Sequence, residues 1–107
     1  MQIPAGMHAD EPLREAVERT QGWMLLEFGA SWCGHCQAAQ PLVRRFLQQH
    51  GMAHLRVEDG KGRPLGRSFA VKLWPTLVLL RDGREVARVV RPQGENSLLP
   101  LTQELAG

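Results

Sequence analysis

The spacing of apolar and polar positions changes several times along the chain and predicts an alternation of helices and strands. Apolar residues recur at helical intervals in 13–20, 42–47 and 98–105, and a further short helix is predicted at 65–71. Short apolar or alternating runs predict strands at 23–28, 53–57, 76–80 and 85–90. The order helix–strand–helix–strand–helix–strand–strand–helix indicates an α/β fold: a central mixed sheet with helices on both faces and a C-terminal antiparallel hairpin followed by a helix.

Cap and turn residues predict where these elements end. Asp10 is a candidate N-cap of the first helix. Gly51 should end the long second helix, and Pro41 should kink it. Asp82 and Gly83 are typical of a tight hairpin turn between the last two strands.

The bulk properties indicate one globular domain over 1–107. The apolar fraction is 43%, and no stretch approaches the ~20 apolar residues needed to span a bilayer. The net charge is only +2, although nine Lys/Arg lie against four Asp/Glu within 56–91. These cations alternate with apolar residues and aromatic residues make up 6%, so no nucleic-acid or membrane partner is expected. We expect a monomer whose basic half is mainly a solvated surface, although it could steer acidic partners.

The first residues bear on the cellular location. The segment 1–7 has neither a basic region nor the apolar run of a secretory signal. This predicts a cytoplasmic protein. A periplasmic or other exported compartment is the alternative.

The two cysteines, Cys33 and Cys36, form a C-x-x-C motif. A disulfide across so short a ring would restrict the unfolded chain little, so the spacing favours chemistry over structural stapling. The motif follows a buried strand and opens a helix, where free N–H groups lower the pKa of the first thiol and favour its nucleophilic thiolate. Cys33 is therefore the predicted nucleophile, and Cys36 would resolve the mixed disulfide formed on it.

The residues between the cysteines have predicted roles of their own. Gly34 allows close approach by a partner backbone, and protonated His35 would stabilise the Cys33 thiolate and make the pair more oxidising. With Trp32 in front, this motif resembles the active site of the thioredoxin family, and its Gly-His dipeptide is similar to that of protein disulfide isomerases. The resemblance covers about 10–105 and implies the thioredoxin fold.

The same resemblance implies the remaining site residues. Trp74, Pro75 and Thr76 match the family segment in which a cis proline faces the cysteines. Residues expected to contact substrate are Trp32, Gly34, Trp74, Pro75, Thr76 and Arg91. Glu27 lies where this family carries a buried carboxyl, which implies a pKa raised by burial and proton exchange with Cys36. A solvated strand carboxylate is the alternative for Glu27.

Four positions depart from the family pattern. Gly29 replaces a frequent aromatic residue, and the large Trp74 replaces an aliphatic one, so we expect Trp74 to cover space that Gly29 leaves open. His54 stands where a lysine usually neighbours the buried acid, and Arg91 replaces a glycine of the substrate surface. Trp74 and Arg91 indicate a substrate range different from that of broad-range thioredoxins.

Three other interpretations compete with redox chemistry. Cys33, Cys36, His50 and His54 formally satisfy a zinc-finger spacing, but Gly51 predicts a helix end between the two histidines. The cysteines could also be an inert structural pair. In a third interpretation the fold serves as a binding or chaperone module, which would not need both cysteines.

The direction of exchange is predicted from His35 and the absence of an export signal. We expect a disulfide reductase that acts on protein disulfides through a Cys33/Cys36 disulfide, with a disulfide isomerase or oxidase in an exported compartment as the alternative. The resemblance implies recycling by thioredoxin reductase or a glutathione system. No metal or organic cofactor is expected, because the cysteines themselves carry the electrons.

Overall fold

Four strands form a single mixed sheet in the computed structural model, which describes residues 11–107. The strand β1 (Trp23–Gly29) pairs in parallel with β2 (Ala53–Glu58). On its other side β1 pairs antiparallel with β3 (Thr76–Arg81), which pairs antiparallel with β4 (Arg84–Val90). The order β2-β1-β3-β4 confirms the predicted central sheet and its antiparallel hairpin.

Helices cover both faces of this sheet. They are α1 (Arg14–Glu18), α2 (Gly34–His50), α3 (Pro64–Ser68) and α4 (Leu99–Ala106), with a 3₁₀ turn at Glu95–Leu98 before α4. Within residues 11–107, no helix has both the length and the apolar character that crossing a bilayer requires. The longest helix, α2, follows β1 directly and therefore begins at the end of an internal strand.

Alternation along β1 divides the core into two layers. Met24, Leu26 and Phe28 face a cluster that includes Val17 and Leu65 from the α1 and α3 side. Leu25 faces the opposite cluster, built mainly from α2, α4 and β3. Every second residue shares a face, so Glu27 lies on the α2 side of the sheet. The buried carboxyl is thereby directed toward the helix that carries the cysteines.

The structure also shows where the predicted boundaries differ. The third helix ends at Ser68, short of the predicted 65–71, because Ala70 adopts the left-handed φ of +56°. Gly51, with φ +59°, ends α2 as predicted. Pro41 lies inside an uninterrupted α2, so its kink stays a prediction. Asp10 lies outside the described residues.

Candidate active site

Cys33 and Cys36 lie at the junction between β1 and α2. Cys33 is the N-cap of α2, and its Sγ accepts a hydrogen bond from the backbone N–H of Cys36 at 3.3 Å. Cys33 is 7% exposed, whereas Cys36 is fully buried, and both are free thiols. The capping geometry points one thiol toward solvent and keeps the other behind it, as a nucleophile and a resolving thiol require.

The wall facing the cysteines is formed by the segment before β3. The Trp74–Pro75 peptide bond is cis, in agreement with the resemblance. Trp74 packs against the small cluster of Ala30, Cys33 and Cys36. Trp32, which is 73% exposed, meets the Trp74 ring edge-on with centroids 5.4 Å apart. The two tryptophans therefore form one aromatic wall of the groove beside the reactive thiol.

Arg91, directly after β4, forms hydrogen bonds to this segment. It adopts a positive φ of +50°, and its backbone N–H donates to the carbonyl of Pro75 at 2.9 Å. Its side-chain Nε donates to the carbonyl of Trp74 at 2.8 Å. A glycine could make the backbone bond as well, but the bond from Nε requires the arginine side chain and holds the guanidinium beside this segment.

Pro75 and Thr76 follow Trp74 at the start of β3. Both are buried, and the Thr76 hydroxyl donates to the carbonyl of Leu73 at 2.6 Å. The Thr76 hydroxyl is thus engaged within the protein, and contact of Pro75 and Thr76 with substrate stays a prediction. These two residues shape the wall from behind.

A groove of about 390 Å³ opens beside Cys33. Its lining includes five of the predicted site residues together with Cys33: Trp32, Gly34, His35, Trp74 and Arg91. A Cβ placed on Gly34 would meet no atom within 4 Å, so the space in front of this glycine is open to a partner. Lys72 and the half-exposed Leu73 complete the groove, and sequence reasoning missed both of them.

Asp59 anchors Trp74 and was also missed. Its Oδ2 accepts a hydrogen bond from the indole N–H of Trp74 at 2.8 Å, and its backbone N–H donates to the carbonyl of Gly29 at 2.7 Å. The side chain packs over Gly66, where an added Cβ would lie 2.3 Å from Asp59 Oδ1. The end of β2 therefore fixes the tryptophan that faces the cysteines.

The surroundings of the two thiols separate their pKa values. Burial raises the pKa of Cys33, but hydrogen bonds from the thiol and backbone N–H of Cys36 lower it more. The backbone N–H of His35 and the charge of Arg91 add to this effect, so the pKa of Cys33 lies below its ordinary 9.0. The backbone N–H of His35 thus contributes to the low Cys33 pKa, and the role of its imidazole stays a prediction.

Cys36 shows the opposite effect. Burial raises the pKa of Cys36 to about 11, assisted by the hydrogen bond to Cys33 and by the negative charges of Cys33 and Glu27. At neutral pH, Cys36 is therefore a thiol that donates its proton toward a more acidic Cys33. The arrangement assigns nucleophilic attack to Cys33.

Alkylation should reveal this difference. The rate at which iodoacetamide labels Cys33 should rise with pH, with a midpoint below 9.0. Cys36 should stay unlabelled until the pH approaches about 11. Cys36→Ala removes the thiol donor and should raise the midpoint of Cys33, and Cys36→Ser keeps a hydroxyl donor and should raise it less. Equal midpoints in the two variants would contradict a stabilising role for the Cys36 donor.

Gly29 leaves space that a sulfur atom fills. A Cβ built on Gly29 would lie 2.7 Å from the Sγ of Cys36, closer than real Cβ contacts come. Trp74 does contact the cysteine cluster, as expected. However, the expectation that it covers the space left by Gly29 needs correction, because Cys36 itself occupies that space. The missing side chain at Gly29 lets the resolving thiol pack directly against β1.

Gly29→Ala should therefore disturb the resolving cysteine. We expect a loss of about 1–3 kcal/mol in the free energy of unfolding, because the added methyl overlaps a buried sulfur atom and the site must shift. Urea denaturation of the reduced protein measures this loss. Gly34→Ala is the matched control: its Cβ enters open space, and the expected change lies between zero and a gain of about 1 kcal/mol. Equal effects of the two substitutions would contradict the proposed overlap.

Glu27 lies behind Cys36 in a network of three side chains. It is 1% exposed, its Oε1 lies 2.9 Å from Nε2 of His54, and its Oε2 accepts from Nε2 of Gln40 at 2.5 Å. Gln40 also lies 3.5 Å from the carbonyl oxygen of Cys36. The solvated alternative for Glu27 is therefore wrong, and the carboxyl is buried next to the resolving cysteine.

The predicted direction of the Glu27 pKa is wrong. Burial raises the pKa of Glu27, as expected, but the hydrogen bonds from His54 and Gln40 lower it. The charges of His54 and Arg56 act in the same sense, and the resulting pKa lies below the ordinary 4.5. Glu27 is thus a buried carboxylate at neutral pH, and its proton exchange with Cys36 stays a prediction.

The zinc-finger spacing does not correspond to a cluster in space. His50 ends α2 and lies against the Phe46 ring with centroids 4.6 Å apart, whereas His54 pairs with Glu27 from β2. Across residues 11–107, no three His, Cys, Asp or Glu side chains come close enough together to hold a metal ion. Gly51 separates the two histidines into different elements, as predicted.

A pair of free thiols at the start of a helix in a mixed α/β fold, packed against the tryptophan of a cis Trp74–Pro75 segment, defines the dithiol site of a thiol–disulfide oxidoreductase. The chain matches the Thioredoxin family model over residues 5–104. It therefore belongs to the thioredoxin family, whose members are protein-disulfide oxidoreductases. The predicted resemblance and the predicted fold are confirmed.

Individual relatives agree with this assignment. Thioredoxin 2 from Pseudomonas aeruginosa PAO1, solved in its reduced form, is 53% identical, with 98% of each chain covered and a TM-score of 0.81. Thioredoxin H2-1 of Oryza sativa subsp. japonica is 32% identical over 75% of this chain, and a TPR repeat-containing thioredoxin of Arabidopsis thaliana is 32% identical over the same share. The chain spans only 59% and 21% of these last two proteins.

Proposed function

We propose that this chain reduces disulfide bonds in proteins through a Cys33/Cys36 dithiol–disulfide cycle. The observation that carries the proposal is the asymmetry of the two thiols. Cys33 is the N-cap of α2, lies beside an open groove and has a lowered pKa. Cys36 is buried behind Cys33 and has a raised pKa. An inert buried pair would need neither the groove nor the asymmetry.

The proposed cycle has two exchanges. The Cys33 thiolate attacks one sulfur of the substrate disulfide, so a Cys33–substrate bond forms while the substrate S–S bond breaks and releases one thiolate. Cys36 then loses its proton and attacks the Cys33 sulfur. This forms the Cys33–Cys36 disulfide and releases the second substrate thiolate. Two electrons pass from the dithiol to the substrate, which requires no metal or organic cofactor.

Regeneration requires an external reductant, for which we propose a thioredoxin reductase or a glutathione system. Family membership supports the former, since thioredoxins are typically recycled by that enzyme. The location where this takes place stays a prediction. A cytoplasmic, reducing compartment would favour net reduction, and an exported, oxidising compartment would favour isomerisation or oxidation.

Insulin reduction and the equilibrium potential test the function together. The wild type should reduce insulin when NADPH and thioredoxin reductase, or glutathione and its reductase, supply electrons, while Cys33→Ser should not. The potential, measured against glutathione, should lie between about −270 and −180 mV, the range from thioredoxin to disulfide isomerase. A value near −180 mV with no insulin reduction under either system would overturn the reductase role in favour of the isomerase alternative.

A further inference from the structure

The groove beside Cys33 continues into a second groove on the α3 side. The second groove has a volume of about 320 Å³, and Lys72 and Trp74 line both, so the two form one continuous surface. We call this surface, which extends from Arg91 to Lys61 across Trp74, the basic groove. One end of it contains the nucleophilic thiol, and a protein segment that presents a disulfide to Cys33 would lie along it.

Cations dominate the basic groove. Its lining contains five cationic side chains, namely Lys61, Arg63, Arg67, Lys72 and Arg91. The single carboxyl in the lining is that of Asp59, which already accepts a hydrogen bond from the Trp74 indole. The whole chain carries a net charge of only +2, so positive charge is concentrated at the reactive end of the molecule.

Four of these cations lack an internal carboxylate partner. Within residues 11–107, no ion pair is made by Lys61, Arg67, Lys72 or Arg91. Elsewhere in the same range, Arg14, Arg19, Arg45 and Arg88 each pair with a glutamate. These four charges are therefore available to a carboxylate from another molecule.

The Arg91 guanidinium, one of these four charges, has a fixed position. Its Nε and its backbone N–H are both used to hold the Trp74–Pro75 wall, so the guanidinium is fixed at the rim of the groove. The apolar side chains of Trp32 and Leu73 are 73% and 48% exposed in the same lining. A protein segment fits this combination, since it can supply apolar contact, carboxylates and a disulfide together.

We propose that the basic groove selects substrate proteins whose disulfide is flanked by aspartate or glutamate residues. This rests on the reductase function proposed above and names its substrate class. Complementary charge accelerates encounter and sets orientation more than it adds affinity, so selection acts on the rate of the first exchange. The exchange chemistry is unchanged, with Cys33 attacking and Cys36 resolving.

Three disulfide-bridged peptides test the proposal. They share one sequence except for two residues on each side of the disulfide, which are Glu, Gln or Lys. At low ionic strength the wild type should reduce the Glu peptide about tenfold or more faster, in kcat/KM, than the Lys peptide. In about 0.5 M salt the ratio should fall toward one, because screening limits the interaction between charges to a few ångströms.

Charge-matched variants locate the effect. The double variant Arg67→Gln and Lys72→Gln should lower the Glu-to-Lys rate ratio several-fold. The double variant Arg44→Gln and Arg84→Gln removes the same charge from two exposed positions on α2 and β4, outside the groove, and should leave the ratio unchanged. Thermal unfolding checks that each variant folds. Equal wild-type rates for all three peptides, or a ratio unaffected by salt, would overturn the proposal. Reduction of none of them would instead overturn the reductase function.

Discussion

Replacing Cys36 by serine should convert the protein from a catalyst into a trap for its substrate. Cys33 remains able to attack, so a mixed disulfide should form in one step and persist, because no thiol lies behind Cys33 to displace the substrate. Multiple-turnover reduction of insulin should fall at least about a thousandfold, which corresponds to about 4 kcal/mol of lost transition-state stabilisation. Non-reducing gels and mass spectrometry of the quenched reaction measure the trapped species.

Cys33→Ser is the matched control for this prediction. Its hydroxyl does not attack disulfides at neutral pH, so neither turnover nor a trapped adduct is expected. The fully buried Cys36, with a pKa raised to about 11, should not replace the missing nucleophile. If Cys33→Ser were trapped and Cys36→Ser formed no adduct, the roles of the two thiols would be reversed.

The cysteine motif was predictable because its chemistry is local. A strand that ends at Gly29 and a helix that begins at Gly34 place Cys33 at an N-cap, whatever the rest of the chain does. The strands were predictable for a similar reason, since β1 and β3 are apolar runs bounded by turn residues. The identity of Glu27 as the buried acid depended on family resemblance, and its burial agrees with that.

The partners of the site residues were less predictable because they come from distant parts of the chain. Asp59 holds Trp74 across 15 positions, and Glu27 meets His54 across 27. Neither pair can be inferred from spacing, because both depend on how β2 aligns beside β1. Gln40 had a local signal, since it follows Cys36 by one helical turn on the same face of α2.

The Glu27 pKa shows how the hydrogen bonds of these partners change a conclusion, since the resemblance implied that His54 is a neighbour of the acid but not the effect of its hydrogen bond. Burial alone predicts a protonated carboxyl, and that inference was sound for an isolated acid. His54 and Gln40 reverse it by donating to both oxygens. The network therefore provides a carboxylate, charged at neutral pH, beside a thiol that must lose its proton before it can resolve the intermediate. His54 is 23% exposed on its side chain and links this carboxylate to solvent.

At acidic pH, the free energy of unfolding should depend on the ionisation of Glu27. Its folded-state pKa is lowered, so ionised Glu27 contributes stability above about pH 4.5, and this contribution is lost as the pH falls through the lower folded value. Glu27→Gln should therefore show a smaller loss of the free energy of unfolding below pH 4.5 than the wild type. This acid dependence is a separate consequence of the network and needs no assay of activity.

Glu27→Gln should slow the second exchange by about a hundredfold to ten-thousandfold at neutral pH, because it removes the proposed proton acceptor of Cys36 while keeping the shape of the side chain. In the wild type the rate of resolution should be flat above about pH 4.5, where Glu27 is ionised. In Glu27→Gln the rate should rise with pH toward the Cys36 pKa, which lies below about 11 once Cys33 is bonded to substrate and the Glu27 charge is gone. Rapid quenching of the mixed disulfide with a labelled peptide measures this step.

Glu27→Asp distinguishes proton transfer from support of the fold. It keeps a carboxylate one methylene shorter and should restore the flat pH profile, even where its absolute rate stays below that of the wild type. The loss of one negative charge in Glu27→Gln also lowers the pKa of Cys36, which favours resolution and opposes the expected result. A slow step with a rising profile therefore cannot come from that charge effect. A wild-type pH profile in Glu27→Gln would exclude Glu27 as the proton acceptor and leave it a structural role beside His54.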